Sequence, residues 1–213
     1  DARSADRYAR LAVTTAAPTP ELAPPSRTHA LTLGAIVFVA TMLRFWGLDY
    51  GLPQTQCRPD ESVVVENAVA MQTGSLRPNF LNYPTAYIYT CAAVYAVMRH
   101  CSWLWPEGRT QGAREFAEQA VLDPSWVYLP NRVLSGLAGV LTVLAVWSLA
   151  RRFLAPPAAL AAALFMAVMP LAVRQSHFGL TDAPAVLLVT LSLVKLADAA
   201  RNGTTRAFIL AGV

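Results

Sequence analysis

The acidic and basic residues best suited to chemistry lie at two points in an otherwise apolar chain. Asp60 and Glu61 occur in one polar segment, and Asp182 ends a second one much further along. Four basic side chains accompany them: Arg58, Arg132, Arg174 and His177. A carboxylate can take the proton from an attacking hydroxyl, and arginines can hold a phosphate and stabilise its charge as it leaves. These residue types would suit group transfer from a phosphorylated substrate.

Each of these residues also has a purely structural interpretation. Acids in the first turn of a helix are favoured by the helix dipole, and Thr181-Asp182 suits an N-cap. Arg132 at the end of a span could anchor to lipid headgroups, and His177 could make one interfacial hydrogen bond. The functional interpretation therefore depends on whether the elements that carry these residues bring them together.

The composition is that of a polytopic membrane protein. Hydrophobic residues make up 55% of the 213 residues and charged residues only 14%, against about 25% charged in soluble domains. The net charge of +4 comes from Lys and Arg in the N-terminal segment and in short loops between long apolar runs. This distribution follows the positive-inside rule and not the pattern of a nucleic-acid surface, so we expect no nucleic-acid partner.

The apolar runs predict four membrane spans, since each approaches the roughly 20 residues that a helix needs to cross a bilayer. They are Ala30–Leu48, Val133–Ala150, the proline-interrupted Phe153–Val173, and 183–197. A fifth run begins at Ala207, so we expect the transmembrane domain, 29–213, to be incomplete at its C-terminal end. Residues 1–28 predict a disordered cytoplasmic tail.

Shorter amphipathic segments lie between the first two spans. Pro59–Gln72 is predicted to be a helix with Val64, Ala68 and Met71 on one face, and a second helix is predicted for 112–122. We expect Arg44, near the end of the first span, to extend its side chain to the headgroups.

The arginine distribution predicts the orientation of the chain. The N-terminal segment, Arg151-Arg152 and the loop 195–206 belong on the cytoplasmic side. The second span must then begin outside, where the first span ended, so the run Tyr83–Met98 makes no net crossing. That run is shorter than a straight span requires, and we expect it to lie in the outer interface. Both acidic points then share the extracytoplasmic face, where a lipid-linked phosphosugar would present its head.

Neither a metal nor a disulfide follows from the sequence. The three cysteines form no Cys-x-x-Cys pattern and no cluster with histidine, so we expect no zinc site. Cys57 and Cys101 would pair only if both lie outside the cytoplasm and close together, which leaves both outcomes open. A divalent cation is also left open, because paired acids can bind one but carboxylates without a fixed spacing do not establish it.

Several short motifs occur in an order that resembles a known family. They are Arg44-Phe-Trp-Gly-Leu, Arg58-Pro-Asp60-Glu61, Asn82-Tyr83-Pro84, Arg132-Val-Leu-Ser-Gly-Leu-Ala-Gly, Arg151-Arg152-Phe and Ser176-His-Phe-Gly-Leu-Thr-Asp182. Together, over about residues 30–213, they resemble the N-terminal half of the family-39-like GT-C glycosyltransferases. That family includes protein O-mannosyltransferases and lipid A aminoarabinose transferases.

The resemblance implies an all-α, GT-C-type transmembrane bundle with juxtamembrane helices in its first extracytoplasmic loop. It implies a mannosyltransferase-like enzyme of a bacterial plasma (inner) membrane, in contact with membrane lipids. Such an enzyme moves a hexose or pentose from a polyprenyl-phosphate donor to an extracytoplasmic protein, lipid or glycan. Asp60 would be the catalytic base or acceptor ligand, Glu61 would assist it, and Asp182 would line the site. The implied substrate-binding residues are Arg58, Tyr83, Arg132, Arg174 and His177.

Two alternatives remain open from the sequence. One is a transporter or flippase for a lipid-linked or anionic substrate, a class that places ionisable residues near the bilayer midplane on broken helices. The other is a membrane scaffold whose acids only cap helices. The observation that separates them is whether Asp60 and Asp182 converge on one cavity.

Overall fold

The computed structural model describes residues 26–101, 112–202 and 209, which form helices joined by loops and contain no strand. In chain order the helices are α1 (Arg27–Phe45), α2 (Pro59–Ala70), α3 (Thr85–His100), α4 (Ala113–Leu122), α5 (Ser125–Ala150), α6 (Pro156–Val168), α7 (Pro170–Ser176) and α8 (Asp182–Asn202). The prediction of an all-α membrane bundle is confirmed. The predicted tail and fifth span fall almost entirely outside the described residues.

Three helices, α1, α5 and α8, are long and apolar enough to cross a membrane. Helices α6 and α7 pass the same test as a pair bent by 56°. The bend lies at Pro170, which has no backbone N–H and whose ring disfavours a continuous helix. The four predicted spans therefore correspond to three helices and one broken span.

Local signals explain where several helices begin. The Ser26 hydroxyl accepts a hydrogen bond from the backbone N–H of His29 at the start of α1, as an N-cap does. Helix α2 begins at Pro59, a residue well suited to the first helical position. Helix α5 begins at Ser125 and continues through Pro130, so it extends further towards the N-terminus than the predicted span at Val133.

The chain packs into two adjoining units. In the transmembrane unit, buried side chains of α1, α5 and α6 meet, among them Ile36, Val143 and Leu160. In the juxtamembrane unit, α2, α3 and α4 pack on one another and on the first turns of α5 around Val64, Ile88, Tyr95, Phe116 and Val127. Helix α3 contains residues 85–98 of the predicted run and belongs to this second unit. Cys57, Cys91 and Cys101 are all free, so the candidate pair is not formed.

Contacts between distant segments define the two ends of the bundle. At one end, Arg132 at the start of α5 donates to the backbone oxygen of Leu48, 2.8 Å away, just beyond the end of α1. At the other end, Arg152 after α5 forms an ion pair with Asp198 of α8 at 2.7 Å. Both ends of segment 49–130 therefore lie together, as the absence of a net crossing in 83–98 requires.

The prediction for Arg44 is wrong. Its side chain is fully buried instead of reaching the headgroups. It donates to the backbone oxygens of Ala167, at 2.9 Å, and Met166, at 3.1 Å, beside the bend between α6 and α7. In a bilayer, a backbone oxygen without a hydrogen-bond donor costs free energy. The inward position of the guanidinium is therefore favoured, because it supplies donors to these oxygens.

Candidate active site

A polar cavity of about 320 Å³ opens where the two acidic points of the sequence meet. The first turn of α2 forms one wall, and the segment from Arg174 to Asp182 forms the other. Asp60 and Asp182 both line this cavity, although they are far apart in the sequence. This is the convergence that separates a site from two unrelated helix caps.

Asp60 presents an exposed carboxylate to the cavity. It lies in the first turn of α2, directly after Pro59. Within the described part of the chain, the structure shows no side-chain hydrogen bond or ion pair for Asp60. Its oxygens are therefore available to accept a proton or a hydrogen bond from a bound molecule.

Glu61 has the opposite environment, because its side chain is buried and fully engaged. Its two oxygens accept from the Nε of Arg132 at 3.1 Å each, and Oε2 also accepts from Nη2 at 2.7 Å. Oε1 accepts from the backbone N–H of Gly179 at 2.7 Å. The second amino group of Arg132 donates to the backbone oxygens of Leu48 and Tyr50. This buried pair joins α2, α5, the end of α1 and the turn before α8.

Helix geometry explains why adjacent acids differ so strongly. Successive residues on a helix point about 100° apart, and residues three or four apart share a face. Glu61 is three residues before Val64 and seven before Ala68, and all three are buried. Asp60 falls outside this face and is exposed. The apolar stripe predicted for α2 could have identified Glu61 as the inward acid.

Arg58 places a cation beside the cavity. Its Nη1 donates to the backbone oxygen of His177 and lies 3.8 Å from Glu61 Oε1, and its guanidinium is 4.8 Å from the Phe178 ring centroid. Burial lowers the pKa of Arg58, the nearby Arg132 lowers it further, and Glu61 raises it. An anion in the cavity would offset the cost of this partly desolvated charge.

The opposite wall adds a second cation and an amide. Arg174 is exposed and lies 5.6 Å from the centroid of the Phe178 ring. Gln175 Nε2 donates to Asp182 Oδ2 at 2.9 Å. Gln175 and Phe178 were absent from the sequence-based site, although both belong to the polar segment that carries Arg174. Spacing along the chain does not show that the Gln175 amide contacts Asp182, or that the Phe178 ring lies near both arginines.

Three residues predicted to bind substrate do not line the cavity: Tyr83, Arg132 and His177. His177 has its ring nitrogens beside the backbone oxygens of Val173, at 2.8 Å, and Trp46, at 3.1 Å. The Tyr83 ring lies beside that of Phe80, tilted by 42° with 5.6 Å between ring centroids, at the margin of the juxtamembrane core. Arg132 and His177 contact the cavity-lining residues Glu61 and Arg58, whereas Tyr83 packs in the juxtamembrane unit.

An apolar groove of about 580 Å³ adjoins the polar cavity. It runs between α5, the α6–α7 bend and α8, and Gln175 and Asp182 line both spaces. Gly139 and Thr142 of α5, Met166 beside the bend and Val186 of α8 also line the groove. The polar cavity and the apolar groove thus meet at Gln175 and Asp182.

Among residues 26–101, 112–202 and 209, no group of three or more His, Cys, Asp or Glu side chains could hold a metal ion. Asp60 and Asp182 face one cavity, and Glu61, which also lines it, is already engaged by Arg132 and the backbone N–H of Gly179. Cations near the cavity come from Arg58 and Arg174 instead.

Comparison with known proteins gives one family match. Residues 127–213 match the family model described as dolichyl-phosphate-mannose-protein mannosyltransferase. The match begins in α5 and includes Arg132, Arg174 and Asp182, but it does not extend to Asp60 or Glu61. No curated protein and no solved structure matches the chain. The family match and the apolar helices point to an integral membrane glycosyltransferase.

Proposed function

We propose that this chain forms part of a glycosyltransferase of the mannosyltransferase-like, GT-C type, working at the extracytoplasmic face of a bacterial plasma membrane. It transfers a sugar from a polyprenyl-phosphate-linked donor to an acceptor hydroxyl. The observation that carries the proposal is the junction of a polar, arginine-bearing cavity with an apolar groove. A lipid-linked phosphosugar has the same division, with a charged head and a hydrocarbon tail.

The two spaces fit the two parts of such a donor. Arg58 and Arg174 lie on opposite walls of the cavity and face the same aromatic ring, Phe178. A phosphate between them would receive charge-assisted hydrogen bonds from guanidinium groups, the strongest type available to it. The groove beyond Gln175 would receive the first isoprene units of the tail, whose burial releases water from apolar surface.

Asp60 is the proposed general base. It takes the proton of the acceptor hydroxyl while the hydroxyl oxygen attacks the anomeric carbon of the sugar. The bond between that carbon and the phosphate oxygen breaks, and the lipid phosphate leaves with the electron pair. Arg58 and Arg174 stabilise the charge that develops on it. Asp182, fixed by Gln175, would hold the sugar or stabilise its oxocarbenium-like state.

Glu61, buried in the cavity wall, and Arg132, which lies behind it, support this chemistry through their ion pair. Their pair fixes the first turn of α2, and therefore Asp60, against α5 and the turn at Gly179. The predicted binding of phosphate by Arg132 would require this pair to open, because the side chain is buried. Direct phosphate binding is therefore proposed for Arg58 and Arg174.

The transporter alternative is supported by one observation, the broken span formed by α6 and α7. Transporters use such breaks to bind ions or substrates near the midplane. Here the backbone oxygens of Met166 and Ala167 at the break already accept from Arg44. The acids of the cavity lie at the ends of helices, so transfer chemistry remains the better proposal. Reconstituted protein that moves a lipid-linked substrate across vesicles without transferring sugar would favour the alternative.

The decisive test is Asp60→Asn in the complete protein, reconstituted with a polyprenyl-phosphate sugar and an acceptor. The amide keeps the shape but cannot take the proton, so we expect turnover per folded molecule to fall about a hundred- to ten-thousand-fold. Donor binding should change little. The matched control is Glu66→Gln, which neutralises an exposed acid on the same helix that does not line the cavity. Turnover of Asp60→Asn close to that of Glu66→Gln would refute the proposed role.

A further inference from the structure

The bend between α6 and α7 leaves two backbone oxygens without their usual helical donors. The oxygen of Met166 would accept from residue 170 in a continuous helix, but Pro170 has no N–H. The oxygen of Ala167 would accept from Leu171, which lies beyond the break. In a membrane such oxygens must be satisfied by another part of the protein.

Arg44 satisfies both oxygens from the neighbouring helix α1. One terminal nitrogen donates to Ala167 at 2.9 Å and to Ala40 at 3.2 Å, and the other donates to Met166 at 3.1 Å. The forked guanidinium spans two successive backbone oxygens, which a single ammonium group does less well. In the part of the chain that the structure describes, Arg44 forms no ion pair with a carboxylate. Its guanidinium therefore interacts with the backbone oxygens at the bend instead of with an acid.

A glycine on helix α5, Gly139, leaves room for this contact. A Cβ atom added at Gly139 would lie 2.8 Å from Arg44 Nε and 2.1 Å from Ser176 Oγ. Both separations are too short for non-bonded atoms. The absence of a side chain at this position allows α7 and the guanidinium to approach α5 together.

The bend determines where α7 lies, and α7 carries one wall of the cavity. Arg174 and Gln175 lie on α7, and both line the polar cavity. At the far end of α7, His177 Nε2 lies 3.1 Å from the backbone oxygen of Trp46. Arg44 and Trp46, two residues apart, thus contact the residues that come just before and just after α7.

We propose that Arg44 is a positioning residue, which sets the bend of the third span and thereby aims Arg174 and Gln175 into the site. It acts through α7 and does not itself touch the substrate. The effect on donor binding rests on the proposed function, whereas the coupling between Arg44 and Pro170 does not.

The experiment combines Arg44→Met with Pro170→Ala in the complete protein. Alanine at 170 supplies an N–H for Met166, so removing Arg44 should matter less in that background. We expect Arg44→Met to lower the thermal midpoint more in the wild-type background than in the Pro170→Ala background. If the two sites were independent, their effects on the midpoint would simply add. The control is Arg77→Met, at an exposed arginine remote from the bend, which should show no coupling.

The second readout is the donor KM measured per folded molecule. We expect Arg44→Met to raise it, with catalytic efficiency falling up to about a hundredfold, because small misplacements of binding groups are costly. Arg44→Lys keeps the charge but loses the forked guanidinium, so its KM should lie between those of the wild type and Arg44→Met. It replaces Arg44→Met in the experiment if Arg44→Met does not fold. Additive effects of the Arg44 and Pro170 substitutions on the thermal midpoint would overturn the role of the Arg44 contact at the bend. An unchanged donor KM in Arg44→Met would overturn its role in positioning Arg174 and Gln175. If the wild type transferred no sugar, the proposed function would fail, while the coupling would still test the bend.

Discussion

Two adjacent acids at the start of α2 have opposite physical situations. Asp60 is exposed to the cavity, whereas Glu61 is buried against Arg132. A free carboxylate can do chemistry, while a carboxylate that accepts four hydrogen bonds from protein groups holds structure together. Loss of charge at Asp60 should therefore lower the turnover, whereas loss of charge at Glu61 should lower the stability of the fold.

Glu61→Gln should destabilise the fold. The amide cannot balance the charge of Arg132, and breaking one side of a buried ion pair typically costs about 3–5 kcal/mol. We expect a lower yield of folded protein and a clearly lower thermal midpoint in detergent. Asp60→Asn is the matched comparison and should leave the midpoint nearly unchanged. Equal midpoints for the two variants would show that the Glu61–Arg132 pair contributes little to stability.

Much of the site could be predicted at the residue scale, but contacts could not. Asp60, Asp182, Arg58 and Arg174 were expected on one face of the membrane, because they lie at span ends that the arginine distribution assigns to the same side, whereas their convergence on one cavity was left open. The sequence could not show that Arg132 is enclosed, since its partners come from two distant segments, Glu61 on α2 and the backbone of Leu48 and Tyr50 after α1. The snorkelling prediction for Arg44 failed for the same reason.

At the scale of elements, close helix packing depends on small residues at a few positions. Gly139 of α5 allows α7 and the Arg44 side chain to approach, whereas Gly34 of α1 has no atom within 4 Å of an added Cβ. Alanine is otherwise the better helix former, by roughly 1 kcal/mol. The same substitution should therefore have opposite effects at these two glycines.

Gly139→Ala should destabilise the protein by about 1–3 kcal/mol, the usual cost of overpacking. Gly34→Ala should be neutral or slightly stabilising. Thermal midpoints of both variants in the same detergent provide the measurement. Ser176→Ala should partly relieve Gly139→Ala, because it removes the hydroxyl oxygen that the new methyl group would meet at 2.1 Å. A Gly139→Ala midpoint at or above that of Gly34→Ala would contradict this packing.

The elements themselves were largely predictable, because apolar length and proline positions act locally. The amphipathic segments at 59–72 and 112–122 are the α2 region and α4. The prolines in 153–173 correctly marked an interruption, but not its 56° bend, which depends on the donors supplied by α1. The start of α5 at Ser125 was missed, because the prediction followed the apolar run that begins at Val133, whereas the first turns of α5 pack in the juxtamembrane core.

At the scale of the whole molecule, the two ends of the bundle differ in chemistry. One end carries the cavity with its acids and arginines, and the other carries Arg151 and Arg152 beside Asp198. The positive-inside rule assigns the second end to the cytoplasm. The sidedness of the cavity remains a prediction, which native and introduced cysteines can test.

Cys57 should be the natural reporter for the cavity end. It is exposed, free and in the cavity wall, whereas burial raises the pKa of the Cys91 thiol to about 12 and keeps it unreactive. In a Cys101→Ser protein, a membrane-impermeant maleimide should label Cys57 on intact cells. In a protein lacking Cys57 and Cys101, Phe153→Cys should label only after permeabilisation, because this exposed residue follows Arg152 at the opposite end. Labelling of both positions from the same side would contradict the arrangement of the spans, and labelling of Phe153→Cys alone on intact cells would reverse it.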